Sequence, residues 1–400
     1  MESEIKNESC PAQEKTPVKK GFGKRLSLII GGVVLLAVIG AVVAAFFYFD
    51  PFGSDLPRYA PEDTDLIIYI NGSKIAERKF FRAWKRTILY DEVSRGIKNN
   101  YDVDLAKAVD GEACIFLNSD LHFRVGWSGC YLYRDKLGQA RKIFNGGKNF
   151  LVRKLDEDKK HSAEYSKKFD RPDSAKEYWS DTSNIDGKPA VITNRGNREN
   201  FSLILIDPDT VQISTGHRGN PVLTKPNQKR STKLTRAVDT RALLSIAWEG
   251  GIPTKFFKDF LHGKFKKYGD ISEDMEFFTL NIYGAGDDLE FELVAKYKDE
   301  SAARSAGESL TDLRKVCKED LMSDKYIPQD MIEMVKKLEI SADGKKVTLR
   351  LRCSEDKVVK IIQFYDDAER ESIREDEEYE AEQRRRAPGT VKIEPKKADK

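Results

Sequence analysis

Histidine and cysteine are scarce in this chain, at 4 and 5 residues of 400. His122, His161, His217 and His262 are scattered, and no two of them fall one helical turn apart, so the spacing of a metal site is missing. There is no C-x-x-C, no H-E-x-x-H, no G-x-S-x-G elbow and no Walker-type glycine loop. Ser354-Glu-Asp-Lys357 satisfies a bare S-x-x-K, but its companion motifs are absent and lysine is common enough here to produce it by chance. The residues therefore lead to the expectation of no catalytic residue, no cofactor and no metal. A dominant charge sign is missing as well. Lys and Arg number 69 against 66 Asp and Glu, a net charge of +3, so no global field selects nucleic acid.

Long apolar runs are absent with one exception, Leu26 to Phe49, which carries no charged residue. A helix of that length rises roughly 36 Å, enough to cross a hydrocarbon layer of about 30 Å. Lys15, Lys19, Lys20, Lys24 and Arg25 precede it, whereas Asp50 and Asp55 follow it. The positive-inside rule then places the N-terminus in the cytoplasm and the rest outside, with Phe46 to Phe49 as an aromatic belt. The expectation is an uncleaved single-pass anchor in the lipid bilayer of a bacterial inner membrane, with the C-terminal domain periplasmic or extracytoplasmic. Ala37, Ala41 and Ala45 give the run a small-residue face, on which a homodimer through the anchor has no further support.

Beyond the run, about 350 residues leave room for two ordinary domains or one large one. Residues 1–25 read as a disordered tail, 26–49 as the anchor and 50–58 as a linker. Thr64 to Asn71 reads as a buried strand, and a helix follows with Phe80, Phe81, Trp84 and Ile88 on one face. Ala113 to Leu117 starts a hairpin whose second strand alternates Phe123, Val125, Trp127, Tyr131 and Tyr133. Asp135 is placed to cap a helix. Residues 145–183 look like a polar, lysine-rich insertion, mostly loop. A hairpin with its tip at Pro208 and Asp209 sets Ile206 against Val211 and Ile204 against Ile213. A last hairpin turns at Asp343-Gly344, with Ile340 against Val347.

The pattern then repeats. Thr240 to Ala247 aligns with the strand at Thr64 at a shift of 176, and Tyr297-Lys-Asp-Glu300 aligns with Tyr133-Arg-Asp-Lys136 at a shift of 164. The expected fold is α+β: the anchor, then two tandem ferredoxin-like (βαββαβ-type) repeats with antiparallel sheets at 59–216 and 237–365, and a charged helix and disordered tail at 366–400. Cys114 with Cys130, and Cys317 with Cys353, can each be read as a disulfide pair or as buried thiols packed as small hydrophobes.

One segment stands out chemically. Between the repeats, 217–236 carries Arg218, Lys225, Lys229, Arg230, Lys233 and Arg236 with no acid. These are the candidate contacts for an anionic partner, such as an envelope protein or polymer. The competing reading is a linker kept soluble by lysine. The stretch lacks the aromatic interleaving that stacks on bases, so no nucleic acid is expected.

Leu56-Pro-Arg-Tyr-Ala-Pro-Glu-Asp-Thr-Asp-Leu-Ile-Ile-Tyr-Ile-Asn71 resembles the start of a group of uncharacterised exported proteins of planctomycete, verrucomicrobial and lentisphaeral bacteria. The resemblance implies a bacterial envelope setting and supplies no catalytic residue. The functional expectation is a membrane-anchored, non-enzymatic binding or scaffolding protein. The alternative is an envelope hydrolase with its site assembled at the junction between the two repeats.

Overall fold

The computed structural model describes residues 54–61, 64–117, 129–135, 138–168, 178–195, 200–216, 233–249, 263–323 and 327–386. In chain order, a 3-10 turn (Leu56–Tyr59) precedes β1 (Leu66–Asn71). Four short helices follow: α1 (Gly72–Ala76), α2 (Lys79–Trp84), α3 (Ile88–Tyr101) and α4 (Leu105–Ala108). Next come β2 (Glu112–Leu117), β3 (Gly129–Arg134), α5 (Gln139–Lys168), β4 (Tyr178–Ile185), β5 (Lys188–Arg195), β6 (Asn200–Asp207) and β7 (Thr210–Gly216). The second half holds α6 (Lys233–Ala237), β8 (Leu244–Glu249), a 3-10 segment (Gly263–Ser272), β9 (Met275–Ala285) and β10 (Asp288–Tyr297). It ends with α7 (Glu300–Ser323), α8 (Gln329–Lys337), β11 (Glu339–Asp343), β12 (Lys346–Ser354) and α9 (Glu355–Arg386).

The helix starts follow from capping. Asn71 Oδ1 accepts from the Lys74 amide, and Thr87 Oγ1 accepts from that of Tyr90. The Asp135 carboxylate takes the Gln139 and Ala140 amides at 2.9 and 3.1 Å, and Asp299 takes that of Ala302 at 2.8 Å. Each satisfies donors that a first helical turn leaves open. Asp135 and Asp299 each follow a strand that ends near a buried tyrosine, Tyr133 and Tyr297, and each precedes a long helix.

Two separate ferredoxin-like sheets do not form, which corrects the expected fold. The described strands make one antiparallel sheet of 12, in the order β11-β12-β10-β9-β8-β1-β2-β3-β7-β6-β5-β4. The first strands of the two halves pair with each other at its centre, and Ile68 lies opposite Ile246. Both strands are too apolar to serve as exposed edges, so each covers the other. A ferredoxin-like unit would also put the strand after the first helix two places away. Here β1 passes through α1 to α4 and returns as β2, its immediate antiparallel neighbour. The crossover comes later in each half: β3 to β4 through α5, and β10 to β11 through α7 and α8. Three strands separate the first pair and one the second, so the halves differ by a hairpin.

The expected membrane-spanning helix has no counterpart among the described residues. No helix among the described residues is long and apolar enough to cross a membrane. Leu26 to Phe49 itself lies outside the described residues, as do Phe123 to Trp127 and the C-terminal tail after Arg386.

Smaller differences are informative. The lysine-rich stretch after Phe144 continues α5 to Lys168 instead of looping. The hairpin tip at Pro208 and Asp209 holds, but an irregularity at Ile206 shifts the register, and Leu205 faces Val211 while Leu203 faces Ile213. The last hairpin turns at Gly344 and Lys345, with Asp343 opposite Lys346 and Ile340 opposite Leu349. Gly344 takes the left-handed φ of 53° that such a turn needs. Cys114, Cys130, Cys317 and Cys353 are unbridged thiols, and all but Cys317 are buried.

One face of the sheet packs against α2 to α5 and α9, with Phe81, Trp84, Tyr133 and Phe144 in its core, and α7 covers the far end over Ala295, Tyr297 and Val347. On the opposite face, Ile67, Tyr69, Cys114, Phe116 and Leu132 meet Leu56 of the 3-10 turn and Leu234 of α6. A fully buried aromatic such as Trp84 contributes about 3 kcal/mol by burial.

Candidate functional site: a cleft where the halves meet

The last described helix, α9, packs on α2. Phe80, Phe81 and Trp84 turn into the core, which leaves Lys79, Arg82, Ala83 and Arg86 on the opposite side of α2 and its C-terminal turn. From α9, Val358, Ile361 and Ile362 are buried, and Asp356, Val359, Gln363 and Asp366 face α2. Between these two rows, with Thr87, lies a cleft of about 400 Å³.

Charged contacts clamp the cleft at both ends. At the first end, Arg78 forms a salt bridge with Glu355, whose side chain is only 2% exposed. Arg78 Nη2 also donates to the carbonyls of Gly286 and Asp288 at 2.8 and 3.1 Å, and the Lys79 amide donates to Glu355 Oε2 at 2.6 Å. Gly284 leaves room for this approach, because a Cβ there would stand 2.7 Å from Arg78 Nη1 and push the guanidinium aside. Lys79 Nζ reaches Asp287 at 3.2 Å and Asp356 at 3.4 Å, and hydrogen bonds to those two carboxylates hold its ammonium above the ordinary lysine range.

At the second end, the Ile88 amide donates to Asp366 Oδ1 at 2.8 Å. Arg370 donates to Asp366 Oδ2 at 2.8 Å and to the Arg86 carbonyl at 3.2 Å. The middle is open. There Arg82 donates to the Glu77 carbonyl at 2.7 Å, and Thr87 Oγ1 donates to the Trp84 carbonyl at 2.7 Å while accepting from the Tyr90 amide. The threonine hydroxyl is thus committed to the helix start, and Asp366 to an amide and a guanidinium. The lining offers cations and an amide, with no uncommitted nucleophile beside a base.

The residues singled out from the sequence lie elsewhere. Lys233 and Arg236 sit on α6, on the opposite face of the sheet from α2 and α9. Lys233 Nζ pairs with Glu249 at 2.6 Å and lies 4.6 Å from the Phe277 ring centre, and Arg236 is exposed. Arg218, Lys225, Lys229 and Arg230 fall outside the described residues. Lys357, of the S-x-x-K match, is engaged with Glu333 and lies 3.5 Å from Asp330. His161 is exposed on α5, and the other three histidines fall outside the described residues. Among the described residues no group of three His, Cys, Asp or Glu side chains could hold a metal.

A second polar cluster lies on the opposite face. Glu112 is fully buried, accepts from Tyr69 Oη at 3.4 Å, and pairs at 3.3 Å with Arg134, which reaches Asp55 at 2.6 Å. This cluster ties the 3-10 turn to the sheet.

No protein-family model matches the chain, and no curated protein matches it. Among solved structures, it is similar to three crystal forms of TP0453. Form I is 11% identical with a TM-score of 0.34, form IV 9% with 0.36, and form III 8% with 0.33. Each covers 78% of this chain, and 96%, 96% and 97% of the respective neighbour. At such scores the likeness carries no argument about fold or function.

Proposed function

We propose that this protein is a non-enzymatic binding or scaffolding protein of a bacterial envelope, and that its ligand enters the cleft between α2 and α9. The observation that carries the reading is the state of the lining. Its carboxylates and its hydroxyl are already consumed by contacts that hold the cleft open, while the guanidinium groups on its rim project toward solvent. Such a site recognises; it has no group poised to transfer a proton or attack a carbonyl. The envelope setting rests on the resemblance of Leu56 to Asn71.

Ala83 lines the cleft, so Ala83→Phe should fill part of it. A panel of small metabolites and soluble envelope polymers is screened by thermal shift against the native protein and this variant. Ligands that raise the native midpoint should lose that effect in Ala83→Phe, with no chemical change detected in the ligand. Turnover of a panel member that disappears in Ala83→Phe would establish the hydrolase instead, and ligands indifferent to the substitution would move the site off the cleft.

A further inference from the structure

We infer that the cleft takes a phosphate-bearing ligand held between the guanidinium groups of Arg82 and Arg86. The inference deepens the binding reading above and rests on it. Lys79, Arg82 and Arg86 follow one another at three- and four-residue steps along one side of α2 and the turn after it, so they form a row of positive charge on one wall. Lys79 is neutralised by Asp287 and Asp356. Arg82 and Arg86 have no carboxylate partner among the described residues. Two like charges four residues apart repel each other, and a shared anion turns that repulsion into attraction.

Geometry favours a phosphate. Each guanidinium presents a planar fork of N–H donors that matches two oxygens of one phosphate or carboxylate, and a phosphate has enough oxygens to serve two forks at once. Across the cleft Gln363 adds an amide that can donate to a further oxygen, and Ala83 and Val359 supply an apolar wall for the carbon part of a phosphate ester. The volume of about 400 Å³ falls within the range of about 300–1,000 Å³ typical of small-ligand pockets. A phosphate monoester in solution and a phosphate-bearing lipid headgroup share this chemistry.

The test uses the full chain in two arms. One titrates inorganic phosphate and glycerol phosphate by calorimetry. The other measures flotation with phosphatidylcholine vesicles, with and without phosphatidic acid. Saturable binding is expected in at least one arm, weakened about tenfold (about 1.4 kcal/mol) by Arg82→Gln or Arg86→Gln. Lys360→Gln, which removes an exposed charge of α9 that does not line the cleft, should leave it unchanged. Binding confined to the soluble arm identifies a small phosphate ester, and binding confined to vesicles identifies a headgroup. No saturable binding in either arm, or equal binding by the double arginine variant, overturns the inference. Should other ligands still lose their effect in Ala83→Phe while ignoring both arginine variants, the phosphate assignment falls and the binding reading stands.

Discussion

The guanidinium of Arg78 packs against the buried carboxylate of Glu355, and through that contact the start of α9 is fixed to α2. Glu355 also accepts the Lys79 amide, and its own amide donates to the Asp287 carbonyl at 2.9 Å. One residue thus joins α2, α9 and the β9–β10 turn. Replacing Glu355 by Ala leaves the largely buried Arg78 guanidinium without its carboxylate, held only by the Gly286 and Asp288 carbonyls, an effect of about 3 kcal/mol. Urea unfolding should show that loss, while the pair Arg78→Met with Glu355→Leu should recover most of it. A cost below about 1 kcal/mol for Glu355→Ala would mean that the contact does not hold the junction.

A sheet continuous through β1 and β8 makes the halves interdependent. Residues 1–216 expressed alone expose β1 as an edge of Leu, Ile and Tyr, and residues 233–400 do the same with β8. Each fragment should aggregate or self-associate, and coexpression should return a soluble complex. If both fragments were monomeric, each with its own cooperative unfolding transition, the halves would be separate domains and the shared sheet would be wrong.

How far the sequence reveals this fold depends on the range of the interaction. Caps, hairpin tips and strand alternation are local, and Asp135, the Pro208-Asp209 tip and the Tyr131/Tyr133 face are all legible. Register is less so, because the irregularity at Ile206 moves every apolar partner in its hairpin while leaving the alternation intact. Sheet order is not legible at all, since nothing in Leu66 to Asn71 names Leu244 to Glu249 as its neighbour. The cleft escapes for the same reason. Lys79, Arg82 and Arg86 are visible as the polar side of an amphipathic helix, but an ordinary solvated side has the same pattern. Only the arrival of α9, some 270 residues later, turns it into a wall.

The thiol of Cys353 is predicted to be inert in the native protein. Burial, reinforced by the negative charge of Asp288, pushes its pKa from the ordinary 9.0 to about 11. A chain retaining Cys353 alone, with Cys10, Cys114, Cys130 and Cys317 replaced by Ser or Ala, should react with an aromatic disulfide reagent near pH 8 only at the rate at which it unfolds. Reaction at the rate of the urea-unfolded chain would place the thiol at the surface. The accompanying stability term is complete below about pH 9 and is lost as the pH rises through about 11, because the unfolded chain releases its proton first.

Tyr297 gives the opposite kind of test, a removal that helps. Its ring is among the most buried in the protein, and its hydroxyl has no hydrogen-bond partner among the described residues. A hydroxyl taken from water without replacement costs about 1–3 kcal/mol, so Tyr297→Phe should raise the urea midpoint at neutral pH, the ring keeping its packing on Ala303 and Val347. Burial also pushes the phenol pKa above its ordinary 10.0. The folded protein therefore keeps that proton longer than the unfolded chain, and the associated stability is full below about pH 10 and falls above it. The stabilising effect of Tyr297→Phe should accordingly grow from neutral pH to about pH 11, as the wild-type midpoint drops faster than the variant's. A variant less stable than wild type at pH 7 would mean that the hydroxyl has a partner, and the environment assigned to the end of β10 would have to be redrawn.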